Sequence, residues 1–404
     1  MNKNIKIILG VSGSIAAYKA PEIVRRLREK GCSVKTAMTS AATRFIAPLT
    51  FQALTEQNVY LDSVSIPTSF GEKDSNKITH TDMTGEADAM LIAPATADII
   101  AKIAHGFADD PVSVSALCLK KSTPLIIAPA MNPRMWEAEA TQKNIEVLRS
   151  RKVIFIGPEE GEMACGDFGF GRMSEPEKIV SVTMRALSQS ILKQKPLKVL
   201  ILSGPTRESI DDVRFISNGS SGRMGAALAE TIFESGHDVS VITGPAMIQP
   251  PQWVETIHIE SAQEMLDAAR TRDFDILISP AAISDFKPSK KMSGKKSKTE
   301  ILTLELISTP DVFATLIAEK RKNNPPIKGI SFSAEESFDD LERAITKAKA
   351  KGADGVVVNS AKESMGSETA KIKFINLDSN NVIEFESLPK KIAAKNIWNI
   401  ILKM

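Results

Sequence analysis

Two short segments of this chain open in the same way, and together they constrain its fold more than any other feature. Residues 7–14 and residues 199–206 each run from an apolar stretch into a loop of small residues. A helical pattern comes after each loop. Backbone N–H groups at the N-terminus of a helix stabilise phosphate oxygens. The sequence therefore predicts two α/β units and two phosphate-bearing ligands.

The length of the chain agrees with this division. Its 404 residues exceed what one hydrophobic core usually holds, so we expect two domains of about 200 residues each. Lysines and a proline at residues 193–196 separate two periodic patterns and indicate an exposed linker. We therefore expect domains at residues 1–192 and 193–404. A hydrophobic fraction of 43% and a charged fraction of 25% are typical of folded protein rather than of disorder.

Charge and cysteine content exclude several functional classes. The chain has 51 basic and 49 acidic residues, so no overall field favours nucleic acid or an anionic membrane. Cys32, Cys118 and Cys165 lie far apart, which argues against a disulfide framework and against a paired-cysteine metal site. The sequence contains no apolar span of roughly 20 residues, the length that predicts a membrane helix. We expect a cytoplasmic protein that binds neither nucleic acid nor membrane.

The first half alternates apolar stretches with helical patterns. The predicted strands are residues 5–9, 34–38, 89–92, 125–128 and 153–156, and the predicted helices are residues 15–30, 41–47, 96–105 and 135–149. Strands that are apolar throughout, each followed by a helix, indicate a parallel sheet covered on both faces. The predicted fold class is α/β, with a flavodoxin-like or Rossmann-like doubly wound sheet. In such sheets, ligands bind beyond the carboxyl ends of the strands.

A dinucleotide-binding domain is the first alternative for this half. The first turn lacks the GxGxxG pattern, and residues 38–40 end the second strand without an acidic residue for a ribose hydroxyl. NAD is therefore disfavoured. Hydroxyl groups of Ser12, Ser14 and Ser40 would instead suit a single terminal phosphate. The alternative that these small residues only permit a tight turn stays open.

Further motifs carry a family resemblance. They are Pro-Ala-Met-Asn at residues 129–132, His80, and a glycine-rich segment at residues 164–173, together with residues 10–14 and 93–98. Over roughly residues 5–180 the chain resembles the flavin-dependent cysteine decarboxylases, and within them the phosphopantothenoylcysteine decarboxylases of coenzyme A biosynthesis. The resemblance implies FMN as cofactor. Its expected FMN-binding residues are Gly13, Ser14, Ser40, Thr96 and Met131.

The resemblance also implies a reaction and three catalytic residues. The family oxidises a cysteinyl thiol to a thioaldehyde, releases carbon dioxide and reduces the resulting enethiolate. His80 matches the catalytic base, although an ordinary loop histidine is the alternative. Asn132 would donate to the departing carboxylate, and it also suits a helix N-cap before Pro133. Cys165 would supply the last proton from a mobile flap. Cys32 and Cys118 are interpreted as packing residues.

The second half is again α/β. Strands are predicted at residues 198–203, 239–243, 275–279, 327–332 and 355–358, with a hairpin at the sheet edge near residues 371–375 and 381–385. Residues 203–208, 214–225, 280–286 and 332–335 resemble phosphopantothenate–cysteine ligase motifs in the usual order. The resemblance implies that CTP and Mg²⁺ activate the substrate carboxylate as an acyl-cytidylate. The cysteine amine then displaces CMP.

Site residues of the second half follow from this resemblance. Asn218 matches the asparagine that holds the acyl-cytidylate, and Arg214 matches a basic residue of the second step. The expected CTP contacts are Gly204, Thr206, Ser221, Ala282, Asp285, Phe332, Lys347 and Lys351. Lys347 and Lys351 are one helical turn apart, so a solvated helix face is their alternative interpretation.

A lysine-rich loop at residues 287–298 corresponds to the flap that carries an essential lysine in the family. Lys298 is the first candidate for that lysine and Lys296 the second. The alternative is a disordered basic surface loop. The sequence assigns no magnesium ligand.

Together the two halves predict a bifunctional enzyme. It would join 4′-phosphopantothenate to cysteine with CTP and then decarboxylate the product with FMN. The resemblance implies trimers of the decarboxylase domain and dimers of the ligase domain, hence a homo-oligomer of up to twelve chains. A non-catalytic flavin-binding regulator and an NAD-dependent oxidoreductase are the alternatives. The first would not need His80, Asn132 and Cys165 together.

Overall fold

The chain divides into two compact units, Met1–Leu192 and Lys193–Met404. The computed structural model describes residues 5–61, 83–163, 166–294, 303–323, 326–335, 341–360 and 367–404. Each unit has its own sheet and its own hydrophobic core on both sides of that sheet.

The first unit contains a parallel sheet. Its strands are β1 (Ile5–Val11), β2 (Cys32–Met38), β3 (Val59–Tyr60), β4 (Ala89–Ala95), β5 (Leu125–Pro129) and β6 (Ile154–Phe155). Their order is β3-β2-β1-β4-β5-β6. The chain thus moves outward in one direction after β1 and in the other after β4, which creates a crevice at the carboxyl ends of these two strands. This order confirms the predicted doubly wound α/β fold.

Helices cover both faces of this sheet. They are α1 (Ala20–Glu29), α2 (Pro48–Thr55), α3 (Ala97–His105), α4 (Pro111–Leu117), α5 (Pro133–Glu137), α6 (Glu139–Ser150) and α7 (Pro176–Ile191). The predicted helix at residues 41–47 is wrong. Only Ala42–Arg44 form a 3₁₀ turn, and Ala47 is extended because it precedes Pro48. The predicted helix at residues 135–149 is two helices, since Ala138 between them is extended.

A two-stranded hairpin lies outside the first sheet. Its strands are β7 (Glu159–Glu162) and β8 (Phe168–Arg172), which pair antiparallel. The backbone N–H of Met131, just after β5, donates to the carbonyl oxygen of Gly171 in β8 at 3.1 Å. The hairpin is therefore attached to the carboxyl edge of the sheet, where a ligand is expected.

The second unit contains a larger mixed sheet. Its strands are β9 (Lys198–Ser203), β12 (Asp238–Thr243), β13 (Glu255–His258), β14 (Ile276–Ser279), β17 (Lys328–Glu335), β18 (Gly355–Ser360), β19 (Thr369–Asn376) and β20 (Val382–Pro389). Their order is β13-β12-β9-β14-β17-β18-β19-β20, and β19 runs opposite to the other strands because it pairs antiparallel with both β18 and β20. The predicted edge hairpin is confirmed. The order reverses between β9 and β14, as it does between β1 and β4.

Two short ribbons and a set of helices complete the second unit. The ribbons are β10 (Arg207–Ser209) with β11 (Phe215–Ser217), and β15 (Phe286–Pro288) with β16 (Leu306–Ser308). The helices are α8 (Arg223–Glu234), α9 (Ala262–Arg270), α10 (Val312–Asn323), α11 (Leu341–Ala350) and α12 (Lys390–Ile401). α8 and α12 pack together over one face of the sheet. α9 and α10 cover the other.

The start of α8 lies very close to the end of β9. A Cβ atom added to Gly225, in the first turn of α8, would lie 2.0 Å from the Oγ atom of Ser203. Ser203 is 1% exposed, so its side chain has little room to move. Glycine at position 225 is therefore required for α8 to begin directly above the strand end.

Gly225→Ala should destabilise the second unit by about 1–3 kcal/mol, because the added methyl group overpacks a closed site. Native-state hydrogen exchange of peptides from β9 and α8, measured in increasing urea, reports on this unit. Gly219→Ala is the matched control, since no atom lies within 4 Å of a Cβ added there. Equal protection in the two variants would contradict the close approach.

Candidate functional sites

Ser12 joins the two loops that meet at the crevice of the first unit. Its hydroxyl donates to the carbonyl oxygen of Pro94 at 2.8 Å and accepts from the backbone N–H of Thr96 at 3.0 Å. The side chain is buried, with 1% exposure. The sequence-based interpretation of Ser12 as a phosphate donor is therefore not supported. Its hydroxyl fixes the loop after β1 against the loop after β4.

Four of the expected FMN-binding residues surround this link. A Cβ atom on Gly13 would lie 2.5 Å from the Cβ atom of Ala41, so the loop after β1 touches the segment that contains Ser40. Ser14 and Thr96 are helix N-caps, and each accepts a backbone N–H bond through its hydroxyl oxygen. Their O–H groups remain available as donors toward a ligand. Neighbouring helix starts and hydroxyl groups form a suitable environment for an anion.

Met131 and Asn132 lie between the sheet edge and the hairpin. Met131 is 9% exposed. The side chain of Asn132 makes two contacts in opposite roles: Oδ1 accepts from the backbone N–H of Arg134 at 2.9 Å, and Nδ2 donates to the Asp167 carboxylate at 2.6 Å. Asn132 is thus the predicted N-cap of α5, and its amide nitrogen already binds a carboxylate. Asp167 was not anticipated from the sequence.

Several sequence-based candidates lie outside the described residues. They are His80, Cys165, Lys296 and Lys298. Their roles stay predictions. Of the other cysteines, Cys32 is buried, as expected for a packing residue. Cys118 is exposed where α4 ends, so its interpretation as a packing residue is wrong.

A cavity of about 610 Å³ opens at the carboxyl edge of the second sheet. Its wall brings together seven residues that the sequence analysis selected, although they come from four separate segments of the chain. These residues are Asn218, Ser221, Ala282, Asp285, Phe332, Lys347 and Lys351. A cavity of this size accommodates a nucleotide-sized ligand.

Asn218 is held in place by the opposite loop. Its Nδ2 atom lies 3.1 Å from the carbonyl oxygen of Ala282 and 3.1 Å from that of Ile283, and it donates to both. The residue is exposed and lies on the cavity wall. Its side chain therefore has a fixed orientation before any ligand is present.

Gly204 and Thr206 are not among the described residues of the cavity wall. Thr206 is fully buried, and its hydroxyl oxygen accepts from the backbone N–H of Ser284 at 2.9 Å. The carbonyl oxygen of Gly204 accepts from the backbone N–H of Ala282 at 3.0 Å. Both residues hold the loop after β9 against the loop after β14, so they position the cavity wall rather than face a ligand.

Arg214 also lies away from this wall, in the turn before β11. Its guanidinium group contacts the carboxylate of Asp211 at 2.6 and 2.8 Å, and the backbone N–H groups of Val213 and Arg214 donate to the same carboxylate. The Arg214 side chain, followed by these two backbone donors, lowers the pKa of Asp211 to about 2. This carboxylate therefore fixes the turn that carries Arg214.

Further polar groups of the cavity were missed by the sequence analysis. Arg223 and Lys390 line it, as does Ser331, whose hydroxyl is buried without a hydrogen-bond partner among the described residues. The amine of Lys351 contacts the carboxylate of Asp311 at 3.1 Å, and both residues belong to the wall. The cavity thus contains several cations and at least two carboxylates.

Two features are absent from the described part of the chain. No group of three or more histidine, cysteine or acidic residues is arranged to hold a metal ion there. No helix there is long and apolar enough to span a bilayer.

The turn between Asp211 and Arg214 should lose stability in acid. The pKa of Asp211 in the folded chain is about 2, below the value of about 3.9 for an unfolded aspartate. Its ionised form therefore stabilises the fold fully above roughly pH 4, and this contribution disappears as the pH falls toward 2. We expect Asp211→Asn to lower the urea midpoint at neutral pH.

The difference in urea midpoint between the native chain and Asp211→Asn should then shrink between roughly pH 4 and pH 2. Unfolding curves over this pH range measure it. Asp212→Asn is the control, because Asp212 is exposed and lies beside the same turn. A difference that stays constant down to pH 2 would show that Asp211 does not hold the turn through its charge.

Two family models match the chain, one for each unit. Residues 1–188 match the family described as Flavoprotein. Residues 194–404 match the family described as DNA/pantothenate metabolism flavoprotein C-terminal domain. The two matches leave residues 189–193 between them.

Characterised relatives match most of the chain. The coenzyme A biosynthesis bifunctional protein CoaBC of Vibrio vulnificus strain YJ016 is 42% identical over 352 residues, which cover 85% of this chain and 84% of that protein. The same protein of Escherichia coli K12 is 40% identical and covers 82% and 80%. That of Bacillus subtilis 168 is 40% identical and covers 90% and 87%. This chain belongs to the family of coenzyme A biosynthesis bifunctional proteins, and it is a bifunctional enzyme of coenzyme A biosynthesis.

Proposed function

We propose that the first unit decarboxylates phosphopantothenoylcysteine with FMN and that the second unit first makes this compound from 4′-phosphopantothenate, cysteine and CTP. The observation that carries the proposal is the cavity of the second unit, because seven dispersed residues of the ligase motifs share its wall. Chance would not gather them around one space. The order of the two family matches along the chain also supports it.

The loops after β1 and β4 suit the phosphate of FMN. Gly13 allows the loop after β1 to reach Ala41, and the caps Ser14 and Thr96 keep O–H donors beside two helix starts. These donors are neutral, so they bind one phosphate without concentrating positive charge. When bound, FMN supplies the oxidation and the later reduction of the substrate. Ser40 and Met131 keep their proposed contacts with it.

Asn132 is the proposed anchor of the substrate carboxylate. Its amide nitrogen donates to the carboxylate of Asp167 at 2.6 Å, and this contact supports a role for the same atom in binding a substrate carboxylate. A neutral amide holds a carboxylate without the strong attraction that would oppose its loss as carbon dioxide. His80 is the proposed base and Cys165 the proposed final proton donor; both lie outside the described residues.

Asn132→Asp separates the two roles of this residue. An aspartate still accepts the backbone N–H of Arg134 and caps α5, but it cannot donate to a carboxylate. We expect decarboxylation of supplied phosphopantothenoylcysteine to fall about 100-fold or more. Carbon dioxide release measures this, and unchanged flavin absorption and ligase activity serve as controls. A rate within a few fold of native would exclude Asn132 from substrate binding.

The cavity of the second unit is the proposed ligase site. Asn218, held by the carbonyl oxygens of Ala282 and Ile283, has the fixed orientation that a residue binding the acyl-cytidylate requires. The Lys347 and Lys351 amines are proposed to contact nucleotide phosphates, since both lie on the wall. Arg214 is proposed to act in the second step from outside this wall.

Magnesium is proposed to enter with the nucleotide. Mg²⁺ usually binds through one or two carboxylates together with substrate phosphates, rather than in a site made entirely of protein ligands. Asp285 and Asp311 supply carboxylates on the cavity wall. The residues present therefore fit the ion, which would offset the charge of the triphosphate. Gly204 and Thr206 contribute to this site by fixing its loops.

The decisive assay incubates the chain with 4′-phosphopantothenate, cysteine and either CTP or ATP, and follows pyrophosphate and carbon dioxide. We expect both products with CTP, and an Asn218→Asp variant that makes little pyrophosphate yet decarboxylates supplied phosphopantothenoylcysteine at the native rate. Loss of both activities together would refute the division between the units. Products with ATP alone would refute the choice of CTP.

Assembly and the flap lysine remain part of the proposal. We expect a homo-oligomer built from trimers of the first unit and dimers of the second, up to twelve chains. Lys298, or else Lys296, is the proposed flap lysine. The cytoplasm is the proposed location, and nucleic acids and membranes are not proposed as partners. A purely regulatory flavin-binding role would not require the cavity of the second unit.

A further inference from the structure

Two cations of the cavity come from the first residues of two helices that pack together. Arg223 is the first residue of α8 and Lys390 the first residue of α12. The two helices pack together over the same face of the sheet, and both side chains line the cavity. Arg223 and Lys390 are near enough that the charge of Arg223 contributes to lowering the pKa of Lys390.

This pair lies across the sheet from Lys347 and Lys351. Ala344 and Ala348 of α11 pack with Val356 and Val358 of β18, whereas Val357 packs in the core beneath α8 and α12. Successive strand residues point to opposite faces, so α11 covers one face and α8 with α12 cover the other. The cavity at the strand ends therefore receives cations from both faces, as two separate groups.

The positions of Arg223 and Lys390 are unfavourable for the folded state in several ways. A cation in the first turn of a helix is disfavoured by the helix dipole. Lys390 is 9% exposed, and burial is the main cause of its lowered pKa. The Nε atom of Arg223 is buried without a hydrogen-bond partner in the described structure. Its contact with Glu368, at 3.5 Å, offsets little because that carboxylate is 84% exposed.

An anionic ligand could contact all of these groups at once. It would pair with both cations, accept the free N–H of Arg223, and lie at the N-termini of α8 and α12, where the backbone N–H groups also attract negative charge. A phosphoryl group has enough acceptor oxygens for such a set of donors. We propose that Arg223 and Lys390 form a phosphoryl-binding subsite of the ligase cavity, separate from Lys347 and Lys351; this rests on the proposed ligase function.

The phosphoryl group has two sources in the proposed reaction: the triphosphate of CTP and the phosphate ester of 4′-phosphopantothenate. Arg223→Gln and Lys390→Gln, made in the full-length chain, should each raise the KM for one of these substrates at least about tenfold. Lys391→Gln is the matched control, since Lys391 is the next residue of α12, 75% exposed and paired with Glu230 at 3.0 Å. It should leave both KM values unchanged.

Separate arms identify the source. A raised KM for CTP, with weaker CTP binding by calorimetry in the absence of other substrates, assigns the subsite to the triphosphate. A raised KM for 4′-phosphopantothenate, with no change for unphosphorylated pantothenate, assigns it to the phosphate ester. Lys390→Arg keeps the charge and should restore most of the lost affinity in either case.

Two results would overturn the subsite. The first is that the native enzyme ligates normally and that Arg223→Gln and Lys390→Gln both have KM values for CTP and 4′-phosphopantothenate within twofold of the native values. The other is a Lys390→Arg variant as impaired as Lys390→Gln with an equally lowered melting temperature, because Lys390 would then serve the fold. A native chain without ligation under CTP or ATP would refute the proposed function itself.

Discussion

In each unit, a buried hydroxyl links the two loops at the position where the strand order of the sheet reverses. In the first unit the Ser12 hydroxyl accepts the backbone N–H of Thr96, and in the second unit the Thr206 hydroxyl accepts the backbone N–H of Ser284. Both side chains are buried. Loops beyond parallel strands carry unpaired N–H groups, which are expensive to bury without a partner. Each hydroxyl accepts a hydrogen bond from one such N–H group. It thereby sets the distance between the two loops that border the candidate site.

The ligand sites depend on this link because their residues extend from it. Thr96, whose backbone N–H donates to Ser12, also caps α3 with its side chain. In the second unit, the carbonyl oxygens of Ala282 and Ile283, which precede Ser284 in the chain, hold Asn218. A shift of either loop would move a cap or a binding amide by the same amount. Preorganisation of both sites thus begins with a contact that touches no ligand.

The same link shows what the sequence could and could not predict. The alternation of apolar stretches with helical patterns correctly predicted a doubly wound parallel sheet, because parallel strands covered on both faces are apolar throughout. A hydroxyl that links two loops and a hydroxyl that faces a ligand have the same local sequence, so the sequence alone predicts ligand contacts for Ser12 and Thr206. The helix predicted at residues 41–47 failed for a different reason, since Pro48 holds the preceding residue, Ala47, in an extended conformation.

Residues that act through long-range contacts were also beyond the sequence. Asp167 is meaningful only because the hairpin brings it to Asn132, and Arg223 with Lys390 only because α8 and α12 pack together. Charged residues at helix starts look like ordinary surface positions in a sequence. Motif resemblance identifies candidate positions along the chain, whereas residues that come together only through packing need the structure.

The charge at the two sites differs although their folds are alike. The expected FMN contacts of the first unit are hydroxyl and backbone groups, which can retain a resident cofactor without strong attraction. The ligase cavity instead carries Lys347, Lys351, Arg223 and Lys390. In the proposed ligase reaction a substrate carboxylate attacks a nucleoside triphosphate and pyrophosphate leaves, so cations that stabilise the developing negative charge would lower the barrier. Cations at helix starts reduce stability, and the proposed subsite gives Arg223 and Lys390 a reason to occupy such positions.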